Sequence, residues 1–344
     1  MKKNKKNKNK KYGFIILIVT ILVLIYILKD DYNEIMTLLK NSNLLWLLGA
    51  IILFCTHFVF DLLTMYHIMK SHRKDIKLSF ALYLGAIAKF FNGITPLATG
   101  GQPMIIYEMH KKKNIEVADG TNIVIQNYII FQIALIFWCI TAIILNKTMN
   151  LFAYDPVLKN LSILGFVINF IILAFLGLIS FNKHFNKMIL NFFIKVLSKF
   201  KIVKNKEQKI ENMNKFCDNY YKNAHKLIKN KKLFFTCIFD QIVAQGIFYA
   251  MPLFIAFALN IGDSLTLVNT ISASAYVYII GCYVPIPGGS GGMEFAFLGF
   301  FGNYIADYSI KALVLMWRFI TYYLPTIAGA IIYNTLGTKE DSNL

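Results

Sequence analysis

The sequence lacks the local signatures of side-chain catalysis. It has no Walker A motif and no G-x-S-x-G elbow, and its six histidines (His57, His67, His72, His110, His184 and His225) form no HExxH or HxxxH pair. The stretch Gly288-Gly289-Ser290-Gly291-Gly292 is rich in glycine but lacks the Lys-Ser/Thr ending of a nucleotide loop. The five cysteines (Cys55, Cys139, Cys217, Cys237 and Cys282) form no CxxC pair, so neither a disulfide framework nor a zinc site is suggested. No metal and no cofactor is expected. Acidic residues are also few, 18 against 36 Lys and Arg, which leaves a net charge of +18. That excess would suit a nucleic acid, but most of the lysines sit in short runs between apolar segments. Such runs follow the positive-inside rule of membrane proteins, and nucleic-acid binding is not expected.

Apolar residues are abundant, at 57% of 344. Several uncharged stretches approach or exceed the roughly 20 residues that a helix needs to cross a bilayer. Full spans are predicted at about 13–28, 44–66, 120–146, 157–181, 233–259 and 311–335. The basic N-terminus before the first of them has no small-residue cleavage site after it, so a retained helix is expected. Two further apolar regions, 78–109 and 265–305, are broken by Thr95-Pro96-Leu97-Ala98-Thr99-Gly100-Gly101-Gln102-Pro103 and by Pro285-Ile286-Pro287-Gly288-Gly289-Ser290-Gly291-Gly292.

Charge decides how the broken regions run. Lys70, Arg73, Lys74 and Lys77 precede the first, and Lys111, Lys112 and Lys113 follow it, so both flanks belong to the cytoplasm. The second is flanked by Asp263 and Asp307 and is expected to enter and return from outside. With this assignment the cytoplasmic segments (1–13, 67–77, 110–119, 182–232 and 336–344) hold 29 of the 36 Lys and Arg. Only Lys89 and Arg318 remain inside membrane segments. Charge alone leaves open whether the broken regions cross as short helix pairs. Aligning Gly100-Gly101 with Gly288-Gly289, 188 residues on, gives two similar clusters approached from opposite faces, the pattern of an inverted repeat. The expected fold is an all-α polytopic membrane protein with about six transmembrane helices plus two broken re-entrant hairpins forming an inverted repeat. It is a single domain over 1–344, with both termini cytoplasmic in a bacterial cell membrane. The basic loop 182–232 carries an amphipathic stretch from Asn186 to Phe200 and reads either as a solvated linker on the anionic leaflet or as a docking arm.

The broken hairpins hold the candidate chemistry. Half-helices starting at the glycine clusters would aim N-terminal N–H groups and positive dipole ends into the membrane, where a phosphate could meet them. The same glycines also suit close packing and tight reversal with no ligand. Lys89 lies eleven residues into the first hairpin, about 16 Å deep at 1.5 Å per residue. Glu294 follows the second cluster and suits a pair with Arg318; intramembrane charges are costly and tend to face a cavity or one another. Asp61 and Asp240 read as interfacial carboxylates near headgroup lysines. Gln241, Gln245 and Tyr249, like Asn122 and Gln126, read as interhelical hydrogen bonds.

"TPLATGGQP" before an aromatic helix, and "VPIPGGSGGMEFAF" before a final span with an arginine, resemble the membrane domain of the lysylphosphatidylglycerol synthase family over roughly 10–335. In full-length members, the multiple peptide resistance factors, this domain resembles a flippase and precedes an aminoacyl transferase domain. This chain runs to Leu344, so the resemblance implies the flippase part. It implies a lipid path through Thr95, Pro96, Gly100, Gly101, Gln102, Pro287, Gly288, Gly289, Gly291, Glu294 and Arg318, to which Lys89 is added as the other buried cation. The implied partner is a membrane phospholipid such as lysyl-phosphatidylglycerol, with a separate aminoacyl-lipid synthase and self-association left open. Alternatives are a phosphatidylglycerol lysyltransferase of the same family name and a transporter of a soluble anion.

Overall fold

The computed structural model describes residues 32–152, 156–189 and 227–336, with isolated positions between 190 and 226. Among the described residues no strand occurs. The chain forms helices α1 (Tyr32–Lys40), α2 (Leu44–His72), α3 (Leu78–Gly93), α4 (Gly101–Lys113), α5 (Val117–Met149), α6 (Pro156–Phe181), α7 (Lys231–Ala258), α8 (Leu267–Gly281), α9 (Gly292–Phe301), α10 (Asp307–Arg318) and α11 (Leu324–Leu336). A π-turn, Phe319–Tyr323, joins the last two into one rod. Among the described residues, five helices are long and apolar enough to cross a membrane: α2, α5, α6, α7 and the α10–α11 rod from Tyr308. The expected span 13–28, the amphipathic stretch beyond 189, most of the basic loop and residues 337–344 lie outside the described residues.

The spans outrun their apolar stretches because helices end where the backbone finds a cap, not where hydropathy falls. Asn43 starts α2 by accepting from the Leu45 N–H, and Asn230 starts α7 by accepting from Leu233 N–H at 3.1 Å. Asn150 ends α5 in the left-handed region.

α2 and α7 are antiparallel partners. Contacts step evenly along both: Asn43 N–H to Ala258 O, His57 to Ala244 O, Gln241 to Asp61, and Thr64 Oγ1 to Cys237 O. Each is followed by a hairpin, α3–α4 after α2 and α8–α9 after α7. The first hairpin begins and ends on one side, since Arg73 at its entrance donates from Nη1 to Lys113 O at its exit. Arg73 also binds Asp75 through Nε at 3.0 Å and Nη2 at 2.7 Å, and this bonding holds the Asp75 carboxyl below its usual range. On the opposite side, Tyr304 donates to Leu151 O, and Leu265 and Ile305 at the two ends of the second hairpin join one apolar cluster. The hairpins therefore enter from opposite sides, and their tips pack against each other.

The tips share one backbone path. Thr95 and Ile286 are extended at φ/ψ −119/144 and −116/143, and each is followed by a short 3₁₀ turn, Pro96–Ala98 and Pro287–Gly289. Leu97 (φ 54) and Ala98 (φ 51) match Gly288 (φ 66) and Gly289 (φ 64), and α4 and α9 then begin at Gly101 and Gly292. The equivalence runs 191 residues apart, not 188, so the expected pairing of Gly100-Gly101 with Gly288-Gly289 is corrected by three positions. The turn demands positive φ rather than glycine as such. The first repeat meets that demand with Leu97 and Ala98, at a cost of about 1–2 kcal/mol per residue.

Two apolar cores flank the tips. One gathers Phe297, Phe301, Trp317, Ile320 and Ile255 around the second hairpin; the other gathers Met65, Ile68, Phe80, Leu84 and Met109 around the first. α11 lies against α3 so closely that a Cβ on Gly329 would overlap the Ala86 carbonyl oxygen. Gly329→Ala is expected to cost about 1–3 kcal/mol, read as a lowered melting temperature in detergent. In a cysteine-free chain, Lys74→Cys and Lys111→Cys are expected to react with an impermeant thiol reagent from one membrane face and Asn303→Cys from the other. Labelling of positions 74 and 111 from opposite faces would mean that the first hairpin crosses.

Candidate functional site

Beside the packed tips, toward the end marked by Arg73 and Lys113, lies a cavity of about 750 Å³. α2 contributes His57, Asp61 and Met65, α3 contributes Lys89 and Asn92, and α5 contributes residues between Thr121 and Gln132. Gln245 and Tyr249 of α7, Tyr278 of α8, and Trp317, Arg318 and Tyr322 of the last rod complete it. These residues run from the middle of each helix toward the end marked by Arg73 and Lys113. The other end is filled by the apolar cluster around Phe297 and Phe301.

Of the sequence-derived candidates, Lys89, Gln102, Gly288, Gly289 and Arg318 wall the cavity. Thr95, Pro96, Gly100, Gly101, Pro287, Gly291 and Glu294 build the tips behind it instead. Thr95 Oγ1 donates to Phe91 O at 2.7 Å and accepts from Gly100 N–H at 2.9 Å, while Asn92 Oδ1 accepts from Gly101 N–H at 2.7 Å. Glu294 Oε2 accepts from Gly291 N–H at 2.6 Å. Three of the amides at the half-helix starts, those of Gly100, Gly101 and Gly291, thus already have acceptors inside the chain.

The cations stand differently. Glu294 Oε1 accepts from Arg318 Nε at 2.6 Å, and both residues are about 95% buried, with relative exposures of 5% and 4%. The guanidinium lies against the rings of Trp317, at 5.7 Å, and Tyr322, at 5.1 Å. Its Nη2 is buried without a hydrogen-bond partner. Such an atom costs about 1–3 kcal/mol, more when charged, unless something else binds it. Trp317 Nε1, Gln102 Oε1, Asn127 Oδ1 and Gln132 Oε1 also face the cavity region unbonded. Lys89 makes no hydrogen bond or ion pair among the described residues. The tips are fastened to the last rod by Tyr322, which donates to Gly93 O at 2.7 Å.

The remaining polar residues divide. Asp240, expected beside headgroup lysines, instead meets His67 Nδ1 at 3.0 Å and is 5% exposed. Gln241 Nε2 donates to Asp61 O and Oδ1 at 3.0 Å each, and Gln245 Nε2 donates to Phe131 O at 3.0 Å. These are interhelical bonds. Asn122 and Gln126 bond to each other along α5. Sequence reasoning missed His57, Asn127, Gln132 and Tyr278 as cavity residues, and it did not single out Glu108, which is 1% exposed and accepts from Tyr83 OH at 2.8 Å. The i, i+4 spacing of His57 and Asp61 was the one available signal.

A family model described as the lysylphosphatidylglycerol synthase TM region matches residues 13–329. No curated protein sequence matches the chain.

Glu294→Ala strips a buried guanidinium of its counter-charge and is expected to cost about 3–5 kcal/mol. Adding Arg318→Met should recover much of that loss, so a thermal-melt double-mutant cycle should be strongly non-additive. Additive losses would show that the pair is not coupled.

Proposed function

The chain belongs to the lysylphosphatidylglycerol synthase TM family, and from that premise we propose that it carries an anionic or aminoacylated phospholipid between the leaflets of a bacterial cytoplasmic membrane. The observation that carries the reading is the pair of cationic groups in the cavity, the unpaired Lys89 Nζ and the unbonded Nη2 of Arg318. Charge in a membrane interior is expensive and is usually retained for a substrate path or a partner. Glu294 neutralises one edge of the Arg318 guanidinium and fixes its direction; the other edge is left for a phosphate oxygen. A guanidinium and an ammonium together offer donors to a phosphodiester, and with Glu294 counted their charge balances its single negative charge.

The cavity is of the size that holds a small polar molecule, in the range of about 300–1,000 Å³. It suits a headgroup whose acyl chains trail in the surrounding lipid. In this reading the basic end faces the cytoplasm, and the headgroup enters from the inner leaflet beside the lysine-rich loop. The apolar cluster around Phe297 closes the far end. Exchange of roles between the two inverted hairpins would then open that end and close the first. A separate enzyme would supply any aminoacylated lipid. Delivery of a lysyl lipid to the outer leaflet would lower its negative charge and so weaken attraction to cationic peptides.

In proteoliposomes, the wild-type chain is expected to speed the movement of fluorescent phosphatidylglycerol across the bilayer, and Lys89→Ala to slow it at least tenfold with little change in melting temperature. Phosphatidylcholine should move no faster than in protein-free vesicles. Equal phosphatidylglycerol rates with and without protein would overturn the reading, and uptake of a soluble anion without lipid movement would replace it.

A further inference from the structure

His57 and Asp61 stand one helical turn apart on α2 and both face the cavity. His57 is 7% exposed. Its Nδ1 lies 2.9 Å from Ala244 O, and because a carbonyl only accepts, Nδ1 carries the hydrogen. Nε2 is therefore the one ring position left to gain or lose a proton. The Phe248 ring packs on the imidazole at 5.0 Å between centroids and holds its plane. Asp61 is tied through Oδ1 by Gln241, which leaves Oδ2 as its free acceptor. Neither residue belongs to the Glu294–Arg318 pair or to the tips, and the phosphate-binding role proposed above uses neither.

The groups facing this pair are few. Lys89 comes from α3, Tyr128 from α5, Tyr249 from α7, Tyr278, Cys282 and Tyr283 from α8 with its following turn, and Arg318 and Tyr322 from the last rod. Of these Lys89 and Arg318 are the basic groups. With Glu294 bound to Arg318, the site holds two cations, Lys89 and Arg318, and two carboxylates, Asp61 and Glu294. The arrival of a phosphodiester adds a negative charge to the same low-dielectric space, where unit charges several ångströms apart interact far more strongly than in water. Proton uptake at the carboxylate or the imidazole cancels that added charge.

We infer that His57 and Asp61 form a proton-binding site of the cavity, loaded together with an anionic headgroup. One proton passes from water at the basic end to Asp61 Oδ2 or His57 Nε2 as the headgroup binds, and it leaves when the headgroup leaves. Linkage is reciprocal: the bound anion tightens proton binding, and acidification tightens anion binding by the same factor. A proton gradient across the membrane would then bias the direction of lipid movement. This coupling rests on the lipid reading of the cavity; the proton site itself does not.

The test uses the full chain in detergent micelles and separates the two. Infrared difference spectra without lipid, recorded over a pH series carried well into acid, are expected to show a titrating signal in wild type. Asp61→Asn or His57→Gln should remove it. Addition of short-chain phosphatidylglycerol in weak buffer with a pH indicator, at a pH near that midpoint, is then expected to cause uptake of about half a proton per bound lipid, and to move the midpoint upward by about one pH unit, a tenfold tightening. Short-chain phosphatidylcholine should cause none. The inference is overturned if Asp61 stays ionised and His57 neutral across the range, or if phosphatidylglycerol binds with no proton uptake. It is overturned too if uptake survives both substitutions. A titrating pair with no lipid binding would sustain the proton site and count against the lipid reading instead.

Discussion

A helix that stops inside a membrane must find partners for the backbone groups its ending exposes, because no bulk water is there to bind them. This chain stops twice, and much of its architecture answers that demand. Thr95, Asn92 and Glu294 are placed to receive the first amides of the following half-helices. Glu294 then needs a counter-charge, and Arg318 supplies it from the last rod. Arg318 in turn needs company in a dry site and finds the rings of Trp317 and Tyr322. Tyr322 closes the circuit by donating to Gly93 at the end of the opposite hairpin's first helix. Capping, ion pairing and tip-to-tip packing are one connected set of interactions.

The same set explains why the candidate site differs from a plain helix-terminus anion site. Half-helix starts attract anions when their amides are vacant. Here the chain's own side chains occupy those of Gly100, Gly101 and Gly291, and the side-chain cations Lys89 and Arg318 face the cavity. Arg318 is paired with Glu294, while Lys89 makes no ion pair among the described residues. The carboxylate of Asp61 lines the same cavity.

The spans and their alternation were legible in the sequence because long apolar stretches and lysine runs are cumulative signals. Lys89, Glu294 and Arg318 were legible singly, since a charge stranded in an apolar stretch stands out wherever the stretch folds. The repeat was legible in kind but misaligned by three residues. Glycine marks positive φ only on average, and Leu97 and Ala98 adopt it without being glycine. What stayed hidden was which face of α2, α5 and α7 meets the cavity. Those helices are apolar on nearly every side, as buried helices are, and carry little periodic contrast. Asn127 and Gln132 of α5 therefore gave no directional signal until the helices were placed, and His57 of α2 gave only its spacing from Asp61.

The π-turn at Phe319–Tyr323 accommodates one residue more than a regular helix would use there. On its N-terminal side the rod presents Trp317 and Arg318 to the cavity; on its C-terminal side it presents Pro325 and Thr326 to the same space and Gly329 to α3. A regular helix advances about 100° per residue, so without the extra residue the two halves would be out of phase by roughly that angle. The rod is in effect counted in two frames, spliced at the point where the hairpin tips meet. Loss of a single residue from the turn would leave a straighter and better-bonded helix with nearly the same composition, yet the guanidinium and the Gly329 contact could no longer be made at once. Local regularity has been given up there so that one helix can serve two neighbours.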